Sequence, residues 1–332
     1  LVDFIFSACW PACIKAIHEF FPPNQWVSSI GMLVMAARIG NAAAFSSFAL
    51  LLSWVSTNNT SSSSQAWRYV FGASSAIQLI PIILLAYFGS PKRPAQDTMT
   101  DYSNIATSND IAVPKDSSPS ILSIIQKQFK SVQFWLHLTS RSCLMIFISF
   151  LMFVPTYMKS AYGMTSSAAA QVASVFALGC LLSVTVGSKP YSSSTARQRT
   201  ALLSTLLGCA TLISFVQLAH VSGLIRPLTP LVGTICMFAW GFAASLPFYI
   251  PPSLYALEHG GKASSATIAD LFDVTGFLLL ARFNGYVASI PHSILSQWRG
   301  TFIVTTACSA VSLCSLALAT SLEGGQRSRG VE

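Results

Sequence analysis

Charge is what this 332-residue sequence has least of: Asp, Glu, Lys and Arg together make up 9% of it, against about 25% in a soluble globular chain. So few charges cannot cover a soluble surface of this size. The apolar residues, 52% of the whole, gather into blocks of about 20, the length that crosses a hydrocarbon core at about 1.5 Å rise per residue. Lipid is therefore the solvent for most of the chain. Alternating polarity is lacking too: stretches such as Ile77 to Phe88 and Phe277 to Leu280 run apolar without alternation, which excludes a strand-built membrane barrel and leaves helices. Cys-x-x-Cys pairs are absent, and the eight cysteines fall almost wholly inside apolar blocks, as small packing residues rather than a disulfide framework. His18, His137, His220, His259 and His292 are far apart and gather no metal-ligand cluster. No cofactor is expected. The formal charge of +8 is scattered over short connections rather than collected in a patch, so the expected partners are a lipid bilayer and a small solute, without nucleic acid. A basic n-region, a cleavage site and an initiator Met are all missing before the first apolar run, so the sequence reads as truncated at its front.

What is present is a series of nine spans, roughly 1–17, 29–54, 68–89, 133–158, 166–187, 200–222, 229–255, 264–290 and 300–321. The longest break carries Pro91, Pro94, Pro114 and Pro119 among Ser, Thr, Asp and Lys, a composition unable to bury enough apolar surface to fold. The expected organisation is thus three spans in 1–89, a disordered linker in 90–131, six spans in 132–322, and a tail in 323–332. With the spans alternating sides, twelve Lys and Arg residues from Lys15 to Arg329 fall on one face and Arg68, Lys159, Arg226 and Arg299 on the other. The linker and the C-terminus are then expected on the cytoplasmic side. Two overlapping glycosylation sequons, Asn58-Asn59-Thr60 and Asn59-Thr60-Ser61, agree with that orientation because they lie on the opposite side. Trp67-Arg68-Tyr69-Val70-Phe71 and Trp298-Arg299-Gly300-Thr301-Phe302 share Trp-Arg-x-x-Phe at the start of the third and ninth spans. The pair reads either as a six-helix internal repeat or as interfacial anchoring alone.

Several strings, taken in order, carry a resemblance. Trp10-Pro11-Ala12-Cys13 is followed by Phe20-Phe21-Pro22-Pro23 and then Arg38-Ile39-Gly40-Asn41. Further on come Ala256-Leu257-Glu258-His259-Gly260-Gly261, Ser265-Ala266-Thr267 and Asp273-Val274-Thr275-Gly276. Together they resemble the major facilitator superfamily and, within it, the organophosphate:phosphate antiporters and sugar-phosphate exchangers. The resemblance implies an all-α polytopic membrane protein with two helix bundles, of which about nine of twelve transmembrane helices are present, the fourth to sixth and the seventh to twelfth. It further implies alternating-access transport of a small organic anion, such as a sugar phosphate or glycerol-3-phosphate exchanged for phosphate, by a monomer. Two departures stand out. The basic residue that the subfamily places before Pro155-Thr156-Tyr157 is missing from Met145 to Val154, and the turn Gly187 to Thr200 keeps Arg197 and Arg199 but lacks the Asp of the gating motif.

Ionisable groups inside a span are costly unless paired or wetted, which makes each a candidate. Arg38 sits in mid-span between Met32–Ala37 and Ala42–Ala44; it either binds an anion with its forked donors or pairs internally between helices. Asp270 and Asp273, three residues apart, share one helix face. An inward carboxylate there accepts a coupling proton, because burial disfavours the charged form; the alternatives are solvation near the cytoplasmic helix end for Asp270 and a cap or an interhelical hydrogen bond for Asp273. The expected substrate contacts are Arg38, Asn41, Arg282 and Asn284. The expected coupling or gating residues are Asp270, Asp273, Gly276, Arg197 and Arg199, with Arg141 read as a helix-end anchor. Tyr249, Tyr255, Tyr286 and Trp240 fit either a cavity lining or an interfacial belt. A membrane enzyme would need a nucleophile with a base or grouped metal ligands, and a scaffold would need a folded extramembrane domain; the sequence offers neither, so no enzymatic activity is expected.

Overall fold

The computed structural model describes residues 2–58, 121–290 and 295–329, with scattered positions between 68 and 87. Every regular element among them is helical. In chain order these are α1 (Val2–Phe20), α2 (Trp26–Asn58), α3 (Ile121–Phe129), α4 (Val132–Ser149), α5 (Val154–Tyr162), α6 (Ser166–Ser193), α7 (Ala196–Val221), α8 (Pro230–Ala288) and α9 (Arg299–Arg329). Seven helical stretches are long and apolar enough to cross a membrane. They coincide with seven of the nine expected spans. The first span corresponds to α1, made less apolar by Asp3, Lys15 and Glu19. The third, 68–89, lies largely outside the described residues, as do linker residues 90–120 and Asn59 and Thr60 of the sequons. Residues 121–129, expected in the linker, form α3 instead.

Local chemistry sets the helix limits. Thr165, Thr195 and Thr229 cap α6, α7 and α8 by accepting from the backbone N–H three residues on, and Gln198 completes a capping box at α7. α8 is two successive helices joined at a kink, Pro230–Gly261 and Ser264–Ala288. They meet at Gly261, whose φ of 57° and ψ of −170° belong to a region open essentially to glycine alone.

Residues 1–50 and 120–332 form one compact unit and 51–119 another. In the first unit, residues 1–50 pack with the later helices. The cause is a shared core: Ile14 and Ile17 of α1 and Ile30 and Val34 of α2 are buried against Phe134, Val184, Leu246 and Phe272. A second core, inside α4 to α9, centres on Trp240, stacked on Phe147 and Phe150 at 4.3 and 5.0 Å. Trp298, the tryptophan of the second Trp-Arg-x-x-Phe string, is fully buried here and donates to Ser160 Oγ at 2.9 Å, so it is a core residue and not an interfacial anchor. Hydroxyls and amides tie these helices together where lipid leaves no hydrophobic drive between them. Ser214 pairs with Thr305 at 2.9 Å, Thr200 with Thr320 at 2.8 Å, and the Tyr157 and Tyr162 hydroxyls both donate to Gln217 Oε1. Where α6 crosses α8, Gly179 and Gly241 face backbone: a Cβ on Gly179 would fall on the Phe238 carbonyl and one on Gly241 on the Phe176 carbonyl. Large apolar side chains such as Leu212, Phe215, Leu231, Leu278 and Leu318 are left exposed, as a lipid-facing surface requires.

Candidate functional site

Proline places the first functional group. In a helix the N–H of residue 252 would bond the carbonyl of residue 248, but position 252 is proline and has no N–H. The Phe248 carbonyl is thereby left open in mid-helix. Arg141 of α4 takes it, donating from Nη1 at 2.8 Å. The same guanidinium sits over the Phe248 ring, its carbon 3.7 Å from the ring centre, a cation–π contact. Its remaining edge donates from Nε at 3.2 Å and Nη2 at 2.8 Å to Asp273 Oδ1 on the second arm of α8. Arg141 and Asp273 are 5% and 3% exposed, so this is a buried, hydrogen-bonded ion pair that knits α4 to both arms of α8.

Arg38 is in the opposite condition. It is 4% exposed on α2, and its Nη2 donates to the Tyr249 hydroxyl, a neutral partner. Its Nε has no hydrogen-bond partner, and among the described residues no carboxylate pairs with it. Tyr249 therefore stands between two cations. The Arg38 and Arg141 guanidinium carbons lie 5.2 and 5.7 Å from its ring centre, and Trp10 of α1 packs on it at 5.3 Å.

A cavity of about 260 Å³ opens at this point, with Arg141, Asp273, Tyr249, Ser149, Trp10 and Phe277 in its wall. Arg141 and Asp273 cancel, leaving the charge of Arg38 unmatched behind Tyr249. An unpaired buried cation costs several kcal/mol, so a site of this kind favours an anion, which restores both the missing charge and the missing acceptor.

The remaining candidates are distributed unevenly. Gly276 packs against the cavity: a Cβ there would come within 2.8 Å of Met145 Sδ, and Met145 is part of the lining. Asp270 is exposed while Asp273 is buried, so the two carboxylates do not share surroundings, and only Asp273 reaches Arg141. Asn41 is half-buried; Asn284 is half-buried with its Oδ1 unbonded; Arg282 is exposed. Arg197 is exposed, whereas Arg199 donates to the Tyr191 and Ser192 carbonyls at 2.9 and 3.1 Å, closing the end of α6 as a cation suits a helix C-terminus. Tyr249 lines the cavity, Trp240 is core, and Tyr286 is exposed. Tyr255 is buried between His137 and His259 and donates to Gln128 of α3 at 2.9 Å. Arg141, read as a helix-end anchor, is instead the centre of the ion pair. The signal for it in the sequence was Pro252, which frees a carbonyl, together with Asp273, which needs a cation.

Compared with known families, residues 1–283 match the model described as Major Facilitator Superfamily. No curated protein matches the chain.

Proposed function

Because the chain belongs to the Major Facilitator Superfamily, and is thereby a multi-pass secondary transporter, we propose that its solute is a small organic anion bound at Arg38, Tyr249 and Arg141. The observation that carries this reading is the buried Arg38 guanidinium, bonded to a neutral phenol and to no carboxylate among the described residues. Major facilitators move solutes rather than react them, so the site has only to bind, release and change its access. Transport proceeds as helices rock around the bound solute. The groups that hold the anion come from α2, from α4 and from the first arm of α8, and a solute touching all of them feels any relative movement between them. The linker and the C-terminus lie on the cytoplasmic side in this reading, following the bias of Lys and Arg.

A phosphate ester exchanged for phosphate, which the resemblance to organophosphate antiporters implies, finds little in the cavity lining to recognise its polar body, and the proposal stays with the wider class. A second reading, proton coupling, rests on Asp273. An anion that takes over Arg141 leaves a buried carboxylate without its cation, a costly state. Uptake of labelled anions into proteoliposomes, with and without an imposed pH gradient, tests both. Saturable uptake lost in Arg38→Gln supports the anion site. Dependence on the gradient that is abolished in Asp273→Asn supports proton coupling, and uptake indifferent to Arg38 rejects the site.

A further inference from the structure

We infer that the anion is a monocarboxylate with an apolar, preferably aromatic, body rather than a polyhydroxylated phosphate ester; this rests on the anion-transport reading and narrows it. Charge comes first. Arg141 is already matched by Asp273 at 2.8 Å, so among the described side chains around Tyr249 a single positive charge is left uncompensated, that of Arg38. One carboxylate neutralises it. A phosphate monoester brings about −1.5 to −2 at neutral pH, which overshoots and places excess negative charge beside Asp273.

The wall gives the second argument. Around the cavity stand Trp10, Met145, Ile148, Phe248, Phe277 and Leu280, all of which offer contact area rather than paired donors and acceptors. Ser149 also lines it, but its hydroxyl proton is spent on the Ile146 carbonyl at 2.7 Å. A sugar or glycerol moiety would leave hydroxyls against aromatic faces, at about 1–3 kcal/mol for each one buried without a partner. An aromatic ring there instead meets the edges and faces of Trp10, Tyr249 and Phe277, the geometry in which aromatic groups attract.

Tyr249 joins the two requirements. Its hydroxyl accepts from Arg38 and its ring lines the cavity. A carboxylate beside that hydroxyl reaches the Arg38 guanidinium while its apolar body remains in the cavity, and the unbonded Arg38 Nε supplies a further donor.

The test is calorimetric binding to the detergent-purified protein of three probes: 3-phenylpropionate, 3-phenylpropanol (the same body without charge) and glycerol-3-phosphate (charge without an apolar body). The expected result is phenylpropionate binding at least about tenfold more tightly than either of the others. Trp10→Ala should weaken phenylpropionate by about tenfold, and Arg38→Gln should weaken it by a similar factor while leaving phenylpropanol unchanged. Arg38→Lys, which keeps the charge and removes the fork, is expected to recover part of the loss and guards against a folding artefact. Glycerol-3-phosphate binding more tightly than phenylpropionate would overturn this inference and leave the anion transporter standing. Phenylpropanol binding as tightly as phenylpropionate, in protein of intact helical content, would overturn the inference and the anion reading together.

Discussion

Arg38 and Arg141 carry the same charge into the same interior and stand in opposite electrostatic states. Arg141 is satisfied by Asp273, the Phe248 carbonyl and the Phe248 ring; Arg38 has one neutral hydrogen bond. Their substitutions should therefore behave differently. Arg38→Gln removes a charge without a counter-charge, so thermal melting in detergent should be no lower than that of the parent. Anion affinity should fall about 10- to 100-fold, the equivalent of one charge-assisted hydrogen bond. Asp273→Asn leaves a buried cation unpaired and should cost about 3–5 kcal/mol of stability, while Arg141→Gln combined with Asp273→Asn should recover part of that loss. A double-mutant cycle on denaturation that shows no coupling would contradict the ion pair. Gly276→Ala presses on Met145 Sδ, a flexible side chain that yields into the cavity. It should fold normally and bind its solute more weakly, as titration of both proteins would show. Arg38 was legible in the sequence because a charge inside an apolar run has no local explanation. Arg141 was not, because what fixes its role lies 107 and 132 positions away, and near the start of an apolar block a basic residue has a ready local reading as an anchor. Asp270 is exposed and Asp273 buried, since three-residue spacing implies a shared face but burial depends on what packs against that face.

Among the elements, α8 contributes most to the site, since its first arm supplies Phe248 and Tyr249 and its second supplies Asp273, Phe277 and Leu280. The break at Gly261 lets the two arms run as separate spans. Its backbone is closed to side chains other than glycine, so Gly261→Ala should cost about 1–3 kcal/mol, read as a lower melting temperature. The crossing of α6 with α8 is held by Gly179 and Gly241, each facing a carbonyl of the other helix. Gly241→Val cannot be accommodated by a side-chain shift and should destabilise by about 1–3 kcal/mol through forced separation of the helices. Gly208→Ala, where a Cβ meets nothing within 4 Å, should leave melting unchanged, and equal effects of the two would refute the close crossing. Apolar block length made the long helices visible in the sequence, and Gly260-Gly261 marked the break in α8. α3 was hidden, because a nine-residue helix is too short to be stable by itself. Its order comes from tertiary contacts, among them Gln128 with Tyr255 and Phe129 with Phe134 at 5.6 Å.

At the scale of the molecule, the helices from residues 1–50 and those from 120–332 form one packed unit, and the site lies where α1 and α2 meet α4 and α8. Composition alone made the membrane and the helices legible, since a chain with 9% charged residues has few other solvents available. The site was legible in part, through the charges in mid-span, but its net charge was not, because that depends on which charges meet. A solute that bridges Arg38 of α2 and the cavity wall of α4 and α8 couples its own binding to the relative position of those helices. The most direct test is counterflow of a labelled organic monoanion in proteoliposomes carrying either the parent protein or Arg38→Gln, matched for insertion and melting temperature. The account predicts saturable counterflow in the parent and its loss in Arg38→Gln; equal counterflow in both would contradict the assignment of Arg38 to the solute site.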